Sequence, residues 1–279
     1  MTAALTWLAE PWEHAFMQRA LAVAVVCGVV CGVIGCHVVL RGMAFIGDTV
    51  AHSVFPGVAI AFVAGADLVL GGALAGVLTA VLVAIVSQNR RLREDTVIGV
   101  FFAAAFSLGI VVLSASPGYG GSLESFLFGQ ILGISAADVR TAAGVGLCLL
   151  AAVLVLHREL VAVGLDRETA RAAGLPVFRL DLALYVLVTI AIVISLQAVG
   201  NILVLALLVT PAACARLLTD RLAVMLVAAP AIGALSSVLG LLLSWHLDLA
   251  AGGLIVLVAT ALFLLCWLLS PRHGLLRGS

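Results

Sequence analysis

Stretches of about twenty apolar residues, enough for a helix to cross a hydrocarbon layer, recur along the whole chain. Only short polar segments part them. A soluble domain could not bury so much: ordinary soluble chains are roughly one-quarter charged, whereas here 64% of residues are hydrophobic, 10% are charged and the mean hydropathy is +1.30. Backbone surrounded by lipid must satisfy its own hydrogen bonds, so long apolar runs of this kind fold as helices. The expected fold class is therefore all-α, a polytopic transmembrane helical bundle of about 8–9 spans. The 279 residues suffice for a single transmembrane domain, 1–279. Membrane lipid is the expected surrounding, and no nucleic-acid partner is expected.

Against this background the polar exceptions carry the information. Residues 41–57, RGMAFIGDTVAHSVFPG, place Asp48 and His52 four positions apart. On a helix both side chains project from one face. A carboxylate oxygen and an imidazole nitrogen there make half of a site for a divalent transition metal. The alternative is an Asp–His hydrogen bond that only ties helices together. Pro56-Gly57 follows, a pair expected to break or kink the helix. Broken helices at membrane depth are one way that transporters expose polar groups to a cargo.

Taken in order, the chain opens with Trp7 and Trp12 near an expected membrane interface and no basic leader. Apolar spans are expected at 19–40, 41–64, 68–87, 96–116, 139–156, 182–198, 201–218, 222–244 and 254–269. Gly28 and Gly32 give the first a flat face for close helix packing. Residues 123–135 are too short to cross and read as a partly embedded segment. Gln197, Gly200 and Asn201 divide an apolar run that is too long for one span. Residues 245–248, Trp-His-Leu-Asp, read as a short loop.

Residues 158–181 hold eight of the 28 Asp, Glu and Arg residues and read as an aqueous loop. Within it Asp166 can cap a short helix running through Ala173, with Gly174 as its stop and Pro176 preventing resumption. Placing this loop on the same side as Arg41, Arg90, Arg91, Arg93, Arg216, Arg221, Arg272 and Arg277 gathers twelve of the fourteen arginines there. The positive-inside rule makes that side cytoplasmic. Nine spans with an external N-terminus satisfy the arrangement.

All fourteen basic residues are arginine. Without lysine there can be no P-loop, so any ATP must be bound by another chain. Cys27, Cys31, Cys36, Cys148, Cys214 and Cys266 read as small apolar core residues. An intramembrane metalloprotease would need an H-E-x-x-H-like motif, which the sequence lacks.

The blocks LRGMAFIGDTVAHSVFPGVAIAF, EDTVIGVFFAAAFSLGIVVLS, LESFLFGQILGIS, DRETARAAGLPV and VGNILVLALLVTPAACARLLTDRL are similar to those of a known family. The chain resembles the permease subunit of bacterial zinc/manganese/iron ABC importers, related in fold to vitamin B12 and siderophore importer permeases. The resemblance implies a type II ABC importer permease fold in the bacterial cytoplasmic (inner) membrane. It implies a homodimer bound to two copies of an ABC ATPase subunit and served by an extracytoplasmic metal-binding protein. The permease would not itself be an enzyme. It would hold no permanent cofactor and would pass zinc or manganese, and also iron on a broader reading. By resemblance, Asp48 and His52 are the intramembrane metal ligands. Asp166, Arg167, Glu168, Ala170, Arg171, Gly174, Leu175 and Pro176 belong to the coupling helix that docks in the ATPase. The family usually has an apolar residue where this chain has His37, which raises the question of a supplementary metal contact. Two rivals stand beside this reading: an ion-coupled secondary metal transporter, and a siderophore, haem or cobalamin permease. The first needs more ionisable groups within the spans, and the second a wider pathway than an Asp–His pair suits.

Overall fold

The computed structural model describes residues 9–88, 92, 94–114 and 131–270. After a 3-10 turn at Glu10–Glu13 come ten α-helices among these residues: α1 (Ala15–Leu40), α2 (Ile46–Val63), α3 (Leu68–Val86), α4 (Glu94–Ser114), α5 (Ala136–Leu165), α6 (Arg167–Ala172), α7 (Val177–Val199), α8 (Asn201–Leu218), α9 (Leu222–Leu247) and α10 (Ala251–Leu269). Six are long and apolar enough to cross a membrane: α1, α4, α5, α7, α9 and α10. The apolar parts of α2, α3 and α8 are shorter, at 10–17 residues. At 1.5 Å per residue, 17 residues reach about 25 Å, just short of a typical hydrocarbon core. All nine expected apolar spans thus appear as helices, and α6 is the additional short one.

The chain divides into two compact units, with the boundaries falling inside α1, α5 and α7. In the unit that ends α1 at Cys36 and takes in Ser195 onward, α8, α9 and α10 pack on one another. Here α1 meets α9 backbone to backbone. A Cβ on Gly28 would lie 2.9 Å from the Gly233 carbonyl carbon, and one on Gly32 would lie 2.8 Å from the Pro230 nitrogen. The small-residue face expected from sequence is therefore used. Ser237 Oγ adds a bond to the Ala24 carbonyl at 3.2 Å. At one end of this unit His14 packs on Trp245, with centroids 4.8 Å apart.

The other unit comprises His37 to Ser122 and Leu149 to Ile194. Its centre is α2, packed on α3 and α4. Pro56 and Gly57 do not interrupt α2, which continues to Val63. Proline inside a helix costs roughly 3 kcal/mol, and tertiary packing offsets it. Gly57 lies so close to α3 that a Cβ would sit 2.3 Å from the Gly71 carbonyl oxygen. The glycine serves interhelical approach, not chain reversal.

Two further expectations change. The polar segment 158–181 is mostly helix: α5 extends to Leu165 and α7 starts at Val177. The 30 residues of α5 span about 45 Å, more than the bilayer core, so its polar end projects as helix. Trp245, His246 and Leu247 complete α9, and only Asp248 leaves it, at φ 55°. Of the segment expected to be partly embedded, Ile131–Gly133 form a 3-10 turn, and 123–130 lie outside the described residues, as do Arg90, Arg91, Arg93, Arg272 and Arg277.

Candidate functional site

Asp48 sits in the first turn of α2 and His52 one turn further on. His52 Nε2 and Asp48 Oδ1 are 3.4 Å apart. That is long for a hydrogen bond, whose N···O distance is 2.7–3.2 Å. It equals the edge of a tetrahedron whose centre is bonded to N and O at about 2.1 Å, a separation of about 3.4 Å. The side chains are 18% and 27% exposed, so neither is sealed inside the chain. Pro56, one turn beyond His52, has no N–H to offer the carbonyl four residues back.

Helix α4 holds the imidazole. Phe102 and Phe106 stand edge-on to it at centroid distances of 5.0 and 5.1 Å and lie nearly parallel to each other, at 6°. Edge-to-face contacts of this kind fix ring orientation. Next to Asp48, Thr49 Oγ1 donates to the Ile98 carbonyl of α4 at 3.1 Å. Among the described residues no third His, Cys, Asp or Glu joins the pair to form a group able to hold a metal, so His37 does not supplement it. Its ring instead meets His157, with centroids 5.8 Å apart. Cys27, Cys31, Cys36 and Cys214 are buried, Cys266 is partly so and Cys148 is exposed.

The short helix follows the sequence reading closely. Asp166 caps α6, accepting from the Glu168 N–H at 2.8 Å and from the Thr169 hydroxyl. Thr169 first, then the Glu168 amide, holds the Asp166 carboxyl below its ordinary range. At the far end Gly174 adopts φ +82°. Its N–H bonds the Arg171 carbonyl, and the Leu175 N–H bonds the Ala170 carbonyl, both at 3.0 Å. This pair of bonds is the Schellman termination, and the left-handed position is one that glycine adopts cheaply. Pro176 keeps Leu175 out of the helical region, so α7 starts afresh. Ala170 is buried, while Glu168 and Arg171 face outward.

Arg167 turns inward to Glu94 at the start of α4 and to Asp181 of α7. The other Asp181 oxygen receives Arg41 Nη1 at 2.8 Å, and Arg41 Nη2 reaches the Leu160 carbonyl at 3.1 Å. Burial works against the charge on Arg167, but Glu94 and Asp181 outweigh it and push its pKa higher still. Sequence reasoning used Arg41 only as a topological marker and missed Glu94, Asp181, Phe102 and Phe106. Nothing in local spacing singles them out.

The ABC 3 transport family model matches residues 13–270. The chain belongs to the ABC 3 transport family. It is a membrane permease subunit of an ABC transporter, a multi-pass protein of the bacterial inner membrane. The permease is 43% identical over 264 residues to the manganese transport system membrane protein MntC of Halalkalibacterium halodurans, across 95% of this chain and 90% of the relative. It is 38% identical over 272 residues to the chelated iron transport system membrane protein YfeC of Yersinia pestis, across 98% and 92%. In structure it is similar to PsaBC from Streptococcus pneumoniae, solved in complex with Fab, with a TM-score of 0.83, 35% identity and 98% of both chains covered. An inward-facing metal-chelate type ABC transporter shares the fold, with a TM-score of 0.73 at 18% identity.

Proposed function

We propose that this permease carries a divalent transition metal ion into the cell, that Asp48 and His52 are its intramembrane ligands, and that ATP hydrolysis takes place on a separate ATPase chain. The observation that carries the proposal is the 3.4 Å edge between His52 Nε2 and Asp48 Oδ1. One chain supplies two donors, half of a four-ligand site. Two copies related by a two-fold axis would supply the other half, and isologous pairing is the common arrangement for such contacts. The relatives named for manganese and iron favour those cargoes over zinc. Imidazole with carboxylate suits all three metals, so selectivity is best assigned to the extracytoplasmic protein that delivers the ion. The whole chain then acts as one permease domain without catalytic groups or a resident cofactor. The segment from Asp166 to Pro176, with Arg167, Glu168, Ala170, Arg171, Gly174 and Leu175, docks on the ATPase, two copies of which serve the dimer.

The test is manganese uptake into proteoliposomes that contain the permease with or without its ATPase, the delivering protein being supplied on the outer face and zinc and iron run in parallel. Uptake should require both the ATPase and ATP. Equal uptake driven by a proton or sodium gradient without the ATPase would overturn the proposal.

A further inference from the structure

One helix, α4, supplies a member of the charged cluster around Arg167 and both rings around His52. Glu94, Ile98, Phe102 and Phe106 are spaced four residues apart along α4, so each lies about one turn further along and about 40° further round than the last. Glu94 pairs with Arg167 of α6. The Ile98 carbonyl accepts from Thr49, the neighbour of Asp48. Phe102 and Phe106 flank His52. The helix has no proline between these points, and the distance from Glu94 to Phe106 is about 18 Å at 1.5 Å per residue. A cavity of about 670 Å³ and a second of about 320 Å³ are both lined by Glu94 and Arg167. The start of α4 is therefore joined to α6 by a charge contact with space beside it, not by close-packed side chains. Asp181 is wholly buried and holds both Arg167 and Arg41, which fixes the guanidinium fork that faces Glu94.

We propose that Arg167 is a positioning residue through which the docking helix acts on the metal pair. Displacement of α6 by the ATPase is passed to Glu94, travels along α4 as a rigid element, and shifts Phe102, Phe106 and the Thr49 bond against α2. The inference rests on the docking and ligand assignments above and adds the path between them. Coupling through a chain of contacts is established only by measuring coupling, not by proximity. The experiment therefore measures a ratio.

The complete complex of permease and ATPase is reconstituted, and manganese uptake and phosphate release are measured in the same vesicles. Glu94→Gln removes the charge that Arg167 holds, and Glu94→Asp retains it. Thr49→Val removes the second link at nearly constant shape. Glu94→Gln is expected to hydrolyse ATP and to bind manganese as the unmodified complex does, and Thr49→Val to hydrolyse ATP as the unmodified complex does. Manganese moved per ATP should fall about two- to thirtyfold, the range that corresponds to typical coupling changes, and Glu94→Asp should recover part of the loss. If the ion pair serves stability alone, assembled complex, hydrolysis and uptake will decline together with the ratio unchanged, which overturns the relay. Should Glu94→Gln fail to assemble, the ratio in Thr49→Val decides. A complex without ATP-dependent uptake before any substitution would overturn the transport reading and the relay with it. Normal coupled uptake with unchanged ratios in both variants would overturn the relay alone.

Discussion

The proposed site rests on Asp48 and His52, two groups of different chemistry on one face of α2, 3.4 Å apart. Asp48→Asn keeps the shape and removes the charge, while His52→Ala removes the nitrogen. If both residues bind the ion, manganese uptake should fall by more than about tenfold in either variant, since loss of even an outer-shell partner costs 10- to 100-fold. The amount of assembled complex should stay unchanged. Near-normal uptake in Asp48→Asn would remove that residue from the site. Loss of complex in His52→Ala would instead make the histidine a packing residue, held by Phe102 and Phe106 for the sake of the fold. The i,i+4 pair was legible in the sequence because it lies within one turn. The two phenyl rings were not, because they approach from a helix some fifty residues away, at separations of 50 and 54 positions.

At the scale of elements, α6 is six residues long, too short to persist by its own propensity, and its two ends are what hold it. Gly174→Val places a β-branched residue at φ +82°, where backbone strain arises even though the space around it is open. It should weaken co-purification with the ATPase and leave manganese binding to the permease intact, whereas Gly174→Asn should be tolerated far better. Normal association in Gly174→Val would sever α6 from docking. The N-terminal end has a pH signature. The Asp166 carboxyl titrates below its ordinary value in the folded state. Its contribution is therefore fully present above the ordinary carboxylate range, around pH 4, and is lost as pH falls through the depressed value. Amide exchange at Glu168 should stay slow from neutral pH down to about 4 and, after correction for intrinsic pH dependence, lose protection only below it. In Asp166→Asn, which still caps, that acid step should vanish. A protection loss centred near neutrality would contradict the cap.

Among the described residues, nine apolar helices and one short helix with a buried Ala170 are set by where the chain can and cannot leave lipid. Within one unit, Arg41, Glu94, Arg167 and Asp181 gather at one end, in keeping with the common side assigned to their segments. In the other, Ser270 Oγ bonds the Leu217 carbonyl at 3.0 Å, which brings the end of α10 to the end of α8 beside Arg216. In a background stripped of native cysteines, Arg171→Cys should react with an impermeant thiol reagent only from the cytoplasm, and Asp248→Cys only from outside. Both sites are exposed. Reversed labelling at both would overturn the orientation.

Sequence by itself determined what depends on neighbours along the chain: helical class, the apolar spans, the capped α6 with its glycine stop, and the Asp48–His52 pair. Each follows from length, period or a local hydrogen bond. Only tertiary structure decided that α2 runs through Pro56, because packing on α3 and α4 outweighs the missing bond. Tertiary structure alone also joined Arg41 to Asp181 across 140 positions and Arg167 to Glu94 across 73. Charges so far apart leave no periodic trace. Arg41 and Asp181 meet because folding removes water from both partners at once, and a charge so stripped of water must find its opposite in the protein.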